Sequence, residues 1–263
     1  MIKITLLFTA LLSMICLSTA CCARGLEVQG QVRQVDGQPV AKVAVTDGYK
    51  IVFSDHRGHY RIIPSPLARF VYITVPAGFE MSAKNNGGNF YIPLPKEGTT
   101  DAFNFVLEPI GIDSTHAFFV LGDPQVYNAA DVQRCALFAA DIKNYKDSAL
   151  RNIPVHGMVV GDMVGDRPDL FIGVKQVFEL ANMNYFFSKG NHDLRTDQRS
   201  NTTASMLYEE NFGPRYYAFD RGSMHYIVID DVFYLGRGGE YVRYICEEQF
   251  RWLRLDLQKV PKG

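Results

Sequence analysis

The chain has no surplus of charge: 27 Lys and Arg against 28 Asp and Glu leave a net charge of −1 over 263 residues. It therefore lacks the basic field that draws nucleic acid or an anionic membrane surface, and nucleic acid is excluded as a structural partner. Cysteine is scarce, five residues in all, and Cys16, Cys21 and Cys22 fall at the very start. No Cys-x-x-Cys occurs, which leaves a thiolate zinc site without support. No Gly-x-Ser-x-Gly occurs, and neither Cys135 nor Cys246 has an activating neighbour, which disfavours a serine or cysteine hydrolase. Extremes of composition are absent too. A hydrophobic share of 47% with 21% charged residues excludes global disorder, collagen-like repeats and a disulfide scaffold. What remains is an ordinary globular chain, long enough for two modest domains.

The first 20 residues read as a secretion signal. Lys3 precedes an apolar run from Ile4 to Leu17, which is short for a membrane span of roughly 20 residues. Leu17-Ser18-Thr19-Ala20-Cys21 resembles a bacterial lipoprotein cleavage box, although Ser18 stands where Leu is preferred. The expectation is export, to the periplasm or as an outer-membrane lipoprotein attached through lipidated Cys21. Ordinary cleavage near Ala20 or Ala23 is the alternative. Cys135 falls on an amphipathic stretch and reads as a small core residue. Whether it pairs with Cys246 is open.

From residue 25 to 109 the pattern is all-β. Short strands are expected at Leu26–Arg33, Lys42–Thr46, Lys50–Ser54, Tyr60–Ile63, Phe70–Val75, Asn89–Leu94 and Ala102–Leu107. Period-two alternation in Val71, Ile73, Val75 and in Phe103, Phe105, Leu107 supports them. Turn residues separate them: Asp36-Gly37, Asp47-Gly48, Asp55 to Gly58 and Asn86-Gly87-Gly88. Seven such strands indicate a small β-sandwich. The stretch with Gly30, Val32, Asp36-Gly37, Pro39-Val40, Val43, Val45, Asp47-Gly48, Asp55, Gly58 and Tyr60 resembles a carboxypeptidase-regulatory-like (transthyretin-like) domain. That resemblance implies a sandwich without chemistry of its own. His56 and His59 read as turn residues rather than a metal pair.

After Glu108-Pro109 the pattern turns to alternating strands and helices, residues 114–263. Ala117–Leu121 runs into Gly122-Asp123-Pro124-Gln125; a helix is expected over Ala129–Tyr145, with Val132, Cys135, Ala139 and Ile142 inward. Pro154–Val160 runs into Gly161-Asp162-Met163-Val164-Gly165-Asp166, then a helix over Asp169–Met183. Tyr185–Ser188 runs into Gly190-Asn191-His192-Asp193, and Leu194–Asn211 is expected to be a loop. Such alternation implies a parallel sheet, and in an open parallel sheet the loops at the carboxyl ends of the strands form the site. One Asp at a strand end is readily a helix cap, and Asp166 suits that role. Three polar clusters at three strand ends are better explained by a hard or borderline divalent metal.

These blocks resemble the calcineurin-like metallophosphoesterase family, whose pattern is D-x-H, then GD-x-x-D/N, then GNH-D/E, each after a strand. The later Phe212–Asp231 stretch is similar to that family's next strand pair. The resemblance implies an α/β metallophosphoesterase core, a phosphoester substrate and two divalent metal ions (Mn, Fe, Zn or Mg) that generate a water nucleophile. It implies Asp123, Gln125, Asp162 and Asn191 as metal ligands, with Asp162 shared. It makes His192 the catalytic imidazole outside the metal shell, oriented by Asp193. Two departures matter. Gln125 stands where the common motif has His, which favours oxygen-loving ions. The family's later lone His and G-H-x-H loop have no counterpart here, and His116, His156 and His225 read as structural. The core is therefore expected to be incomplete, from a truncated reading frame, with an apolar sheet edge exposed and an amphipathic last helix, Glu247–Leu257, whose Phe250, Leu253 and Leu257 seek a partner. Activity of the chain is left open. The alternative is a non-catalytic cell-envelope binding protein with a vestigial core.

Overall fold

The computed structural model describes residues 27–81, 90–95 and 102–260. The expected secretion signal, with Cys16, Cys21 and Cys22, and the turn Asn86-Gly87-Gly88 lie outside the described residues.

Among the described residues, the first half is a two-sheet sandwich of eight strands. One sheet orders β4 (His59–Ile62), β1 (Val28–Gln34), β8 (Phe105–Pro109) and β6 (Phe79–Met81). The other orders β3 (Ile51–Phe53), β2 (Ala44–Thr46), β5 (Phe70–Ile73) and β7 (Tyr91–Pro93). Seven strands correspond to the expected ones with shifted ends. The eighth, β6, is not legible in the alternation because it is three residues long, following a turn at Gly78 (φ 81°). Gly30 is required by close approach: a Cβ there would lie 1.8 Å from the Phe103 carbonyl oxygen. His56 and His59 are both exposed; His56 lies in the turn as expected, whereas His59 opens strand β4 and pairs with Gln31.

The second half is built on a parallel sheet of β9 (Ala117–Leu121), β10 (Val155–Val160) and β11 (Tyr185–Ser188), with β10 central. Helices α1 (Ala129–Ala149) and α2 (Phe171–Glu179) pack together, and Asn128 caps α1 by accepting from the Ala130 and Asp131 amides. Val132, Cys135, Ala139 and Ile142 turn inward as the spacing requires. A short 3-10 turn, Pro168–Leu170, precedes α2. Helix α3 (Asn201–Phe212) lies where the sequence predicts a loop. It is capped by Ser200, whose hydroxyl accepts from the Thr203 amide. Hairpin β12 (Tyr217–Arg221)–β13 (Met224–Val228) follows, then β14 (Val232–Tyr234), β15 (Tyr241–Arg243) and α4 (Glu247–Leu257).

The two halves share one hydrophobic core. Phe186, Tyr217, Phe219 and Val228 cluster with the sandwich residues, and Phe186 stacks on Phe219 at 3.7 Å between ring centroids. Val75 and Phe219 form a β-bridge across the boundary. Strands β9 and β11 are the edges of this sheet among the described residues, and Val120 of β9 is 63% exposed. The last helix differs from expectation in its inward face. Gln249, Trp252 and Asp256 are buried, whereas Phe250 and Leu257 are each 50% exposed. Both buried polar groups have partners: Gln249 bonds both backbone groups of Asp230, and Asp256 bonds His225 through Oδ2 and forms an ion pair with Lys259 through Oδ1. Cys135 and Cys246 are free thiols, and burial raises the Cys135 pKa, so it is not a poised nucleophile.

Candidate metal centre

The loops after β9 and β10 zip together directly beyond the sheet. The Gln125 amide donates to the Asp162 carbonyl (2.8 Å), Val126 to Met163 (3.3 Å) and Gly165 to Val126 (3.0 Å). Asp123 (φ 48°), Gln125 (φ 39°), Asp162 (φ 49°) and Asp166 (φ 59°) all occupy left-handed backbone. Such conformations cost on the order of 1–3 kcal/mol each and gather where a site over-determines them. Among described non-glycine residues, only Lys42 and Asn182 share this property elsewhere.

The third loop closes onto the same point. The His192 amide donates to Asp162 Oδ1 (2.8 Å), and Gln125 Nε2 donates to Asp162 Oδ2 (3.3 Å). Gly190 makes this approach possible: a Cβ there would sit 2.0 Å from Asp162 Oδ1 and 2.3 Å from its backbone nitrogen. Gly161 (φ 95°) lies against Gly190, its added Cβ 3.0 Å from the Gly190 Cα. The carboxylate of Asp162, 7% exposed, is thus the node where three strand-end loops meet. Asn191 is half-buried in the third loop, and Asp123 is exposed at the end of the first.

The structure revises the roles around His192. Asp193 does not orient the ring, as the resemblance implies it should. Its carboxylate is buried and accepts from the Gly190 amide (2.8 Å) and the Val164 amide (3.2 Å), so it staples the second loop to the third. Burial raises its pKa to about 7, with the amide bonds from Gly190 and Val164 opposing and the charge of Asp162 adding. The residue beside the imidazole is Asp166, whose Oδ2 lies 3.0 Å from His192 Nδ1. That nitrogen is buried and has no aligned hydrogen bond, leaving the ion-pair contact as its partner. Asp166 is therefore not the helix cap its position suggests. Its left-handed backbone and the bond from its amide to the His192 carbonyl (3.3 Å) hold it here. The histidines read as structural are engaged elsewhere: His116 with Tyr226, His156 with Arg221, and His225 with Asp220 and Asp256.

Whether these residues suit a metal turns on the donor set. Among the described residues, no group of three or more His, Cys, Asp or Glu stands where it could hold a metal ion. Two carboxylates, Asp123 and Asp162, and two amide oxygens, Gln125 and Asn191, are all hard donors. Such a set fits one oxygen-seeking divalent ion that keeps water and takes substrate oxygens, as Mg²⁺-type sites do. It is thin for a pair of ions. As placed, the Gln125 amide turns its nitrogen to Asp162; a cation there would favour its oxygen.

A comparison with curated proteins gives no match to this chain. Residues 26–110 match the family model described as the N terminal of calcineurin-like phosphoesterase, and this span is the eight-stranded sandwich. The match ends before the α/β region begins.

Proposed function

We propose that this chain is an exported, metal-dependent phosphoesterase that hydrolyses a phosphoric ester at the loops following β9, β10 and β11. The observation that carries this reading is the meeting of those three loops on the Asp162 carboxylate, against a Gly190 that admits no side chain. Asp123, Gln125, Asp162 and Asn191 would hold a hard divalent ion, Mn²⁺ or Mg²⁺ in preference to Zn²⁺ or Fe. When bound, such an ion supplies positive charge that polarises a phosphoryl oxygen and makes water a nucleophile near neutral pH. His192, with Nδ1 beside Asp166, has Nε2 left to give a proton to the leaving oxygen. Asp166 stabilises the charged ring before that transfer. Asp193 keeps the Gly190–His192 turn folded by holding the Gly190 amide. The apolar run before Cys21 supports export, with Cys21 as the acylated residue.

The test uses the purified chain with Mn²⁺ and two probes, p-nitrophenyl phosphate and bis(p-nitrophenyl) phosphate. Hydrolysis should appear on one or both, vanish with a chelator, and be lost in Asp162→Ala. His192→Ala should lower kcat by about 10²- to 10⁴-fold. A chain that hydrolyses neither probe and binds no Mn²⁺ by calorimetry would instead be a binding protein of the envelope with a vestigial core.

A further inference from the structure

A chain of ion pairs, fully buried only at its inner end, runs from the sandwich to the lysine that precedes the third site loop. Arg69, immediately before β5, places Nε 3.0 Å from Glu209 Oε2 on α3, an ion-pair contact without an aligned hydrogen bond. Glu209 Oε1 lies 3.0 Å from Arg215 Nε, and Arg215 Nη1 lies 2.8 Å from Asp230 Oδ2. The same Asp230 oxygen lies 3.0 Å from Lys189 Nζ. Lys189 directly precedes Gly190-Asn191-His192, and its side chain is fully buried. It also donates to the Val232 carbonyl (2.9 Å) and the Ser205 hydroxyl (3.2 Å), so every bond the ammonium can make is fixed. Burial disfavours the ammonium of Lys189, with Asp230 acting against that effect; burial also disfavours the guanidinium of Arg215, and there Glu209 and Asp230 prevail and raise its pKa.

We propose that Arg69 is a positioning residue for the Asn191–His192 loop, acting through Glu209, Arg215, Asp230 and Lys189. This deepens the reading of those loops as the metal centre and rests on it for its metal consequence only. Arg69 is the network's outermost cation, its side chain 27% exposed, while Glu209 is 7% exposed. Without Arg69, Glu209 Oε2 is left buried without its cation. The carboxylate then competes with Asp230 for Arg215, and the displacement passes to the oxygen that Asp230 shares with Lys189. The Lys189 ammonium is held by three bonds in a fully buried side chain, so its displacement strains the chain next to Gly190, which lies against Gly161 and Asp162.

The experiment compares wild type, Arg69→Gln and Arg69→Lys by hydrogen exchange of the segment 188–194 in the metal-free protein, with 155–160 as an internal reference. Arg69→Gln should speed exchange in 188–194 by about 2- to 30-fold, the range for a positional coupling carried through packed residues. The reference segment should be unchanged, and Arg69→Lys should restore protection. Unchanged exchange in 188–194, or equal acceleration in both segments, overturns the proposal. If Arg69→Gln unfolds the sandwich, Glu209→Gln removes only the shared charge and is read by the same two segments. A calorimetric Mn²⁺ titration forms the second arm. Wild type that binds no Mn²⁺ defeats the metal reading while the exchange result still decides the network. Mn²⁺ affinity that falls in Arg69→Gln and returns in Arg69→Lys supports both; equal affinity in all three proteins refutes the positioning role.

Discussion

His225 offers a sharp test of the packing between hairpin β12–β13 and α4. Its Nδ1 lies 2.6 Å from Asp220 Oδ1 and its Nε2 lies 2.7 Å from Asp256 Oδ2. Asp256 is fully buried and also meets Lys259, which reaches back to Thr74 of the sandwich. Burial works against the charged ring, but the bonds and charges of Asp220 and Asp256 raise its pKa from 6.5 to about 9. A pKa raised in the folded state stabilises fully below the unfolded value and is lost as pH rises through the folded value. Each tenfold change in proton affinity is worth about 1.4 kcal/mol, so the contribution is on the order of 3 kcal/mol below pH 6.5. About 2 kcal/mol of it disappears between pH 7 and 9.

The other strongly perturbed histidine works at the opposite end of the pH scale. His156 is buried against Arg221, and burial first, then that guanidinium, lower its pKa to about 3. Its penalty falls only below pH 6.5, where the unfolded chain takes up a proton that the folded chain refuses. Urea unfolding at pH 7, 8 and 9 in wild type and His225→Gln isolates the effect as a difference, since other groups titrate in both. Wild type should lose about 2 kcal/mol more than the variant over that range. Equal pH slopes in the two proteins would refute the claim that His225 is an imidazolium clamp.

Three other substitutions have defined outcomes. Gly190→Ala forces a Cβ onto Asp162 and should cost about 1–3 kcal/mol in thermal or chemical unfolding, with Mn²⁺ binding lost. Asp193→Asn leaves one oxygen for two backbone donors, Gly190 and Val164, and should cost about 1–3 kcal/mol by chemical denaturation; a variant as stable as wild type would reject the staple. Cys21→Ser should abolish incorporation of an alkyne-tagged fatty acid in cells; unchanged labelling would reject acylation at that residue.

The alternation of strands and helices in residues 117–188 is legible because each strand is a largely apolar run that leads into a polar loop carrying glycine. The grouping of Asp123, Gln125, Asp162 and Asn191 at one end of the sheet follows from that order alone. The partner of His192 is not legible. Sequence adjacency favours Asp193, but its carboxylate is drawn inward by two amides, and a left-handed Asp166 brings a distant residue to the ring. Helix α3 escapes notice because Asn201–Phe212 buries Ala204, Ser205, Tyr208 and Glu209 together, a face whose polar half leaves no apolar period to read. The same blindness explains α4. Its buried side holds Gln249 and Asp256 beside Trp252, so counting apolar residues picks the wrong face.

The change of pattern at Glu108-Pro109 marks a change of secondary structure and not a break in the folded unit. Strand β11 shows why. Tyr185 and Phe187 face the helix layer with Phe178, while Phe186 faces the sandwich with Phe90, Tyr217 and Phe219. A strand alternates its side chains between two faces, so the strand that delivers Asn191 and His192 is clamped by the helices on one side and by the sandwich on the other. Apolar contact fixes the strand's height and the ion pairs from Arg69 fix the lysine at its end. The sandwich braces the strand that carries the proposed site. The residues that match the phosphoesterase N-terminal family are thereby tied physically, through Phe186 and Lys189, to the loop on which the proposed activity depends.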